Sequence, residues 1–264
     1  MRKSMWLGIV ACLGMVGAVA LTGGPATAAG SPQPYTCAGG DIPSGHYASV
    51  TVTGFCQVPS DGSGMIDIVG NLNVAPGALF DAQSSPSTIT VGKNVTAGAG
   101  SLMGLGCQPN GAHAGHPCEN APGESSVITV NGNVTTTDAD TVLLNGITVK
   151  GNVTLTGGGG DIPWAEKNNT IGGNFTASGI TPEWFGLLFS TIGGNATLTD
   201  IHATDPEDEG FAAVSIVLNT IGRNLNCSGL GPRLSGGFIP GAVSTTGGKS
   251  TGQCVGLVGV GFSE

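Results

Sequence analysis

Asn169-Thr170-Ile171-Gly172-Gly173-Asn174-Phe175-Thr176 is answered 21 residues later by Ser190-Thr191-Ile192-Gly193-Gly194-Asn195-Ala196-Thr197. Upstream the pattern reads Ile66-Asp67-Ile68-Val69-Gly70-Asn71-Leu72-Asn73, Ile89-Thr90-Val91-Gly92-Lys93-Asn94-Val95-Thr96, Ile128-Thr129-Val130-Asn131-Gly132-Asn133-Val134-Thr135 and Ile147-Thr148-Val149-Lys150-Gly151-Asn152-Val153-Thr154. Downstream it closes with Asn219-Thr220-Ile221-Gly222-Arg223-Asn224-Leu225-Asn226. The shared asparagines are 23, 39, 19, 22, 21 and 29 residues apart. A repeat of this length is one supersecondary unit that must stack on its neighbours to bury an apolar face.

Each unit reads as strand, tight turn, strand. The Ile and Val positions before the asparagine alternate with polar ones, as do the positions after it, so each strand has one apolar face. Val, Ile and Thr suit strands. Glycine before the asparagine supplies backbone freedom at a corner. The expected fold is therefore all-β: a right-handed parallel β-solenoid with coils of about 20 residues and disulfide-bearing ends. The asparagines Asn71, Asn94, Asn133, Asn152, Asn174, Asn195 and Asn224 are expected to stack as an internal amide ladder. The 39-residue step is two coils or one with an insertion; the 29-residue step is one coil with extra residues. The weaker rival is an antiparallel sandwich. The Asn-x-Thr/Ser sequences also match glycosylation acceptors, but recurrence of the coil explains them.

Composition agrees with a turn-rich β-fold. The chain has 264 residues and 48 glycines, without the three-residue period of collagen. Arg2 and Lys3, the apolar run Met5–Leu21 and Ala26-Thr27-Ala28 read as a secretory signal peptide over residues 1–28. Residues 29–264 then form a single domain: a cap and first coil to 64, coils over 65–230, and a cap or tail over 231–264. Without Arg2 and Lys3 the chain keeps 6 basic residues against 17 acidic ones, a net charge of −11. That balance argues against nucleic-acid partners, and no later apolar run is long enough to cross a bilayer. Cys12 lies in the signal. Cys37, Cys56, Cys107, Cys118, Cys227 and Cys254 remain, an even set that in an exported chain reads as disulfides. Sequential pairing is the expectation.

The Ile-x-Val-x-Gly-Asn-Val-Thr coils resemble bactofilins, the polymer-forming bacterial β-solenoids. More loosely they resemble pectate-lyase-like right-handed parallel β-helices. Residues 45–79 look like the opening coils of secreted bacterial proteins of this type. The bactofilin resemblance implies self-association. It does not carry over a cytoskeletal role, since this chain has an export signal and cysteines.

Candidate chemistry is thin. Carbohydrate-active β-helix enzymes need paired carboxylates. Asp67, Asp138, Asp140 and Asp200 do not recur at equivalent places in neighbouring coils. No catalytic residue and no cofactor is assigned. Cys107, His113, His116 and Cys118 are a weak metal set, better read as a disulfide-closed loop. Asp205, Glu207, Asp208 and Glu209 are weak calcium ligands in a solvated insertion. Gly157–Gly160 is a flexible turn that lacks the lysine of a phosphate-binding loop. Thr135, Thr137, Thr154, Thr156, Thr176, Ser178, Thr197 and Thr199 should face outward as an array. Such an array resembles the ice-binding face of β-solenoid antifreeze proteins. The leading expectation is a non-catalytic secreted or envelope structural or adhesive protein, with itself or a cell-surface glycan as partner. A polysaccharide lyase-like enzyme and an ice- or glycan-binding module are the alternatives.

Overall fold

Each repeat folds into one three-sided coil. In this computed structural model, residues 31–111, 115–204 and 213–260 are described. Residues 1–28, read as a signal peptide, lie outside them, as do His113, Asp205, Glu207, Asp208 and Glu209. Among the described residues there are 25 strands and no helix.

The strands stack as three parallel faces. The first face precedes the Gly-Asn corner and includes Val127–Val130, Thr148–Val149, Thr170–Ile171 and Thr191–Ile192. The second follows the corner with Val134–Thr137, Val153–Thr156, Phe175–Ile180 and Ala196–His202. The third closes the coil with Thr141–Asn145, Trp164–Lys167, Phe185–Leu188 and Val214–Val217. Strands pair with the equivalent strand one coil away: Thr170 lies beside Thr191, Phe175 beside Ala196 and Trp164 beside Phe185. The fold is a parallel β-solenoid.

The long spacings resolve as insertions within single coils. Val95 pairs directly with Val134, so the step from Asn94 to Asn133 is one coil. Its extra residues leave the third face after Leu102–Leu105 and return at Val127–Val130. Ala196 likewise pairs with Leu225, so the 29-residue step is one coil whose insertion follows His202.

The three disulfides pair in sequential order: Cys37–Cys56, Cys107–Cys118 and Cys227–Cys254. The first and last sit in the apolar core at the two ends of the stack. The middle one closes the insertion. Within the stretch expected to be a cap or tail, residues 234–252 add a further coil. Leu234–Ser235, Thr245–Thr246 and Ser250–Gly252 extend the three faces. Beyond them Gly259 donates to the Ala242 carbonyl and Val260 to the Gly237 carbonyl, and Leu257 packs on the core. The tail folds back over the last coil.

Inward positions carry Ile, Val, Leu and Phe in columns, with Trp164, Phe80, Phe175 and Phe185 among the largest fully buried side chains. Close stacking at the corner between second and third faces demands left-handed backbone. Gly100, Asp138, Gly157, Gly179, Asp200 and Gly229 all have φ between 51° and 66° there. Gly and Asp visit this region at low cost. This explains Asp138 and Asp200 as turn residues. The glycine run is a packed turn rather than a flexible one: Gly157 donates to the Ser178 carbonyl and Gly159 to the Ala139 carbonyl.

Candidate functional surface

The expected asparagine ladder exists but is not internal. Each side-chain Oδ1 accepts the backbone N–H of the asparagine one coil on, at 3.1 Å from Asn94 to Asn71, 2.9 Å from Asn133 to Asn94 and 2.8 Å from Asn152 to Asn133. The series continues through Asn174, Asn195 and Asn224 to the N–H of Lys249. These side chains are half-buried or exposed along an outer edge. The corner turns them away from the axis, so the ladder satisfies backbone groups rather than side chains in a dry core.

At four corners the glycine before the asparagine gives the ladder room and has no special φ. A Cβ on Gly132, Gly151, Gly173 or Gly194 would collide with the Oδ1 of the asparagine one coil back. Where Lys93 or Arg223 replaces that glycine, the ladder bond of the following asparagine stretches to 3.1 or 3.2 Å, against 2.8 Å after Gly151, Gly173 and Gly194.

A second polar ladder is the internal one, and the sequence reading missed it. Asn169, Ser190 and Asn219 are all about 1% exposed. Asn169 accepts the Ile147 N–H through Oδ1 and donates through Nδ2 to the Leu144 carbonyl. Ser190 Oγ accepts the Asn169 N–H, and Asn219 Oδ1 accepts the Ser190 N–H. These residues sit five places before the outer asparagines. Their recurrence as Asn-Thr-Ile, Ser-Thr-Ile and Asn-Thr-Ile was the available signal.

Outside the core, two polar columns flank the outer asparagine edge. On the second face Thr51, Asn73, Thr96, Thr135, Thr154, Thr176, Thr197, Asn226 and Thr251 stand side by side through nine coils. Thr137, Thr156, Ser178, Thr199 and Ser228 form a shorter row beside it. Thr96 donates to Asn73 and Thr251 to Asn226, so side chains bond along the column. On the first face a further column was not anticipated: Thr90, Thr129, Thr148, Thr170, Thr191, Thr220 and Thr245. Neighbours in each column are about 4.8 Å apart along the stack.

The acids do not assemble comparably. Asp67 faces His46 at 2.7 Å on the surface, and Asp138 and Asp200 are separated by the glycine corners of two intervening coils. No group of three or more His, Cys, Asp or Glu suited to a metal occurs among the described residues. Cys107 and Cys118 are committed to each other. His116, across from Gln108 at the neck of that loop, faces a cleft on the third face. Burial holds its imidazole below the usual pKa, with Lys167 adding to the effect.

No protein-family model, curated protein or solved structure matches the chain.

Proposed function

We propose that this protein is a non-catalytic, exported structural or adhesive element of the cell envelope or extracellular space. It works through its repeated surface, and its partners are a second copy of itself or a cell-surface glycan. The observation that carries this reading is the nine-coil column of Thr and Asn on the second face, with a parallel Thr column on the first. Hydroxyls and amides at a fixed spacing favour a repetitive ligand over a small substrate. The disulfides suit an oxidising compartment.

Sedimentation velocity on the oxidised protein, over a wide concentration range and with soluble envelope polysaccharide, tests this reading. The expected result is assembly with itself or co-sedimentation with glycan, reduced in a Thr154→Lys/Thr176→Lys variant. A monomer that ignores both overturns it.

The same columns favour ice as an alternative repetitive ligand, because a two-dimensional hydroxyl lattice suits a crystal surface. Thermal hysteresis that disappears in the same variant is the expected outcome under that reading.

A further inference from the structure

The chain contains three Asn-Gly pairs: Asn110-Gly111, Asn131-Gly132 and Asn145-Gly146. All three carry the same latent chemistry. The backbone nitrogen of the glycine can attack the side-chain amide carbon of the asparagine before it. Glycine presents no side chain to hinder that approach, and its backbone reaches the conformation required. Local sequence makes the three pairs alike; the fold separates them.

Two of the pairs belong to the stack. Gly132 N–H donates to the Lys93 carbonyl at 2.8 Å, and Asn131 N–H to the Val91 carbonyl at 2.8 Å, both in the coil before. The Asn94 side-chain oxygen also stands against Gly132. Gly146 N–H donates to the Lys167 carbonyl of the next coil at 2.9 Å. Asn145 ends the strand Thr141–Asn145 and is only 2% exposed. Its Oδ1 accepts from Gln108 Nε2 at 3.1 Å, and its Nδ2 donates to the His116 carbonyl at 3.3 Å. At both pairs the attacking nitrogen is committed to a neighbouring coil. Ring closure there must break a ladder bond and pull the chain out of register.

The third pair stands outside the stack. Asn110 and Gly111 are exposed on the disulfide-closed insertion, beyond the neck where Gln108 bridges His116. Among the described residues nothing accepts the Gly111 N–H. A Cβ on Gly111 would meet open space. Exposure of the asparagine is not what separates the pairs, because Asn131 is exposed as well. The difference is the freedom of the glycine nitrogen and of the backbone that carries it.

We propose that Asn110 is a site of spontaneous deamidation, converted through a cyclic imide to a mixture of aspartate and isoaspartate. The Gly111 nitrogen forms a bond to Asn110 Cγ and gives up its proton, and the side-chain nitrogen leaves as ammonia. Water then opens the imide at either carbonyl. One opening gives aspartate. The other gives isoaspartate, in which the main chain runs through the former side chain and is longer by a methylene. Either product adds a negative charge to the insertion. Neither disturbs the register of the coils, because among the described residues Asn110 pairs with none of them.

Peptide mass mapping of the oxidised protein, incubated at mildly alkaline pH and digested in mild acid, tests this. The Asn110 peptide should show the mass shift of amide-to-acid conversion at least about tenfold faster than the Asn131 and Asn145 peptides, which must first break a backbone bond. Enzymatic methylation of isoaspartate should label that same peptide. In the reduced protein in urea the three peptides should convert at similar rates. Gly111→Ala should slow conversion at Asn110 severalfold while circular dichroism and the melting temperature stay unchanged. Equal rates at the three sites in the folded protein, an undiminished preference for Asn110 in urea, or full-rate conversion in Gly111→Ala overturns the proposal. These outcomes are independent of the threonine columns and their partners.

Discussion

Gly173 has no side chain because the Asn152 side-chain oxygen stands where its Cβ would be, and that oxygen accepts the N–H of Asn174 at 2.8 Å. The repeated Gly-Asn pair is therefore one device spread over two coils. The glycine of one coil makes room for the asparagine of the coil before.

Gly173→Ala should press on the Asn152 side-chain oxygen and stretch its bond to the Asn174 N–H, as Lys93 and Arg223 do at their own corners. The weakened bond should cost about 1 kcal/mol in urea unfolding. Gly111→Ala, where an added Cβ meets open space, should change stability by less than about 0.5 kcal/mol.

The two ladders should respond unequally. Asn174→Ala removes bonds at a corner that water reaches, so about 1 kcal/mol is expected. Asn169→Ala leaves the Ile147 N–H and the Leu144 carbonyl buried without this partner. Each orphaned group costs about 1–3 kcal/mol, so the buried variant should lose at least twice as much as the exposed one. Parallel urea titrations would show the order; equal losses would contradict it.

Glu166 lies fully buried in the column Leu144–Glu166–Leu187, and neither carboxylate oxygen has a hydrogen-bond partner. Burial holds its pKa well above the usual carboxylate range. Below the unfolded pKa both states keep the proton and pH has no effect through this group. Above it the unfolded chain releases the proton while the folded one retains it. Stability therefore falls by about 1.4 kcal/mol per pH unit until the folded pKa is reached. Glu166→Leu should stabilise the protein by at least about 2 kcal/mol at pH 7 and remove that slope. Chemical denaturation at several pH values measures both effects.

Thr136 fills an inward position between Ala97 and Leu155, and its hydroxyl is buried without a partner. Thr136→Val exchanges that hydroxyl for a methyl of similar size. A gain of about 1–2 kcal/mol is expected in thermal or urea unfolding.

The end disulfides close loops of 19 and 27 residues by sequence separation. Removing either with paired Cys→Ser changes should cost about 3 kcal/mol, largely through the unfolded chain. The insertion disulfide spans 11 residues. Its loss should affect the His116 loop and the cleft more than the melting of the coils, a difference that hydrogen exchange resolves residue by residue.

The sequence by itself determined the coil. Alternation of Ile and Val with Thr decides which side chains face the axis, because successive residues of a strand point to opposite sides. Recurrence every 21 residues or so decides that equivalent positions stack, and with that the threonine columns; the pairing of the six cysteines stays open in the sequence and follows only once the coils are stacked. It did not decide which asparagine is buried. Asn169 and Asn174 are both polar residues beside a turn, and only closure of three faces around one axis turns the first inward and the second out. Nor did it reveal the cleft. His116, Ala165, Phe189 and Phe238 come from an insertion and three different coils, and their meeting depends on lateral stacking, for which spacing along the chain carries no local signal.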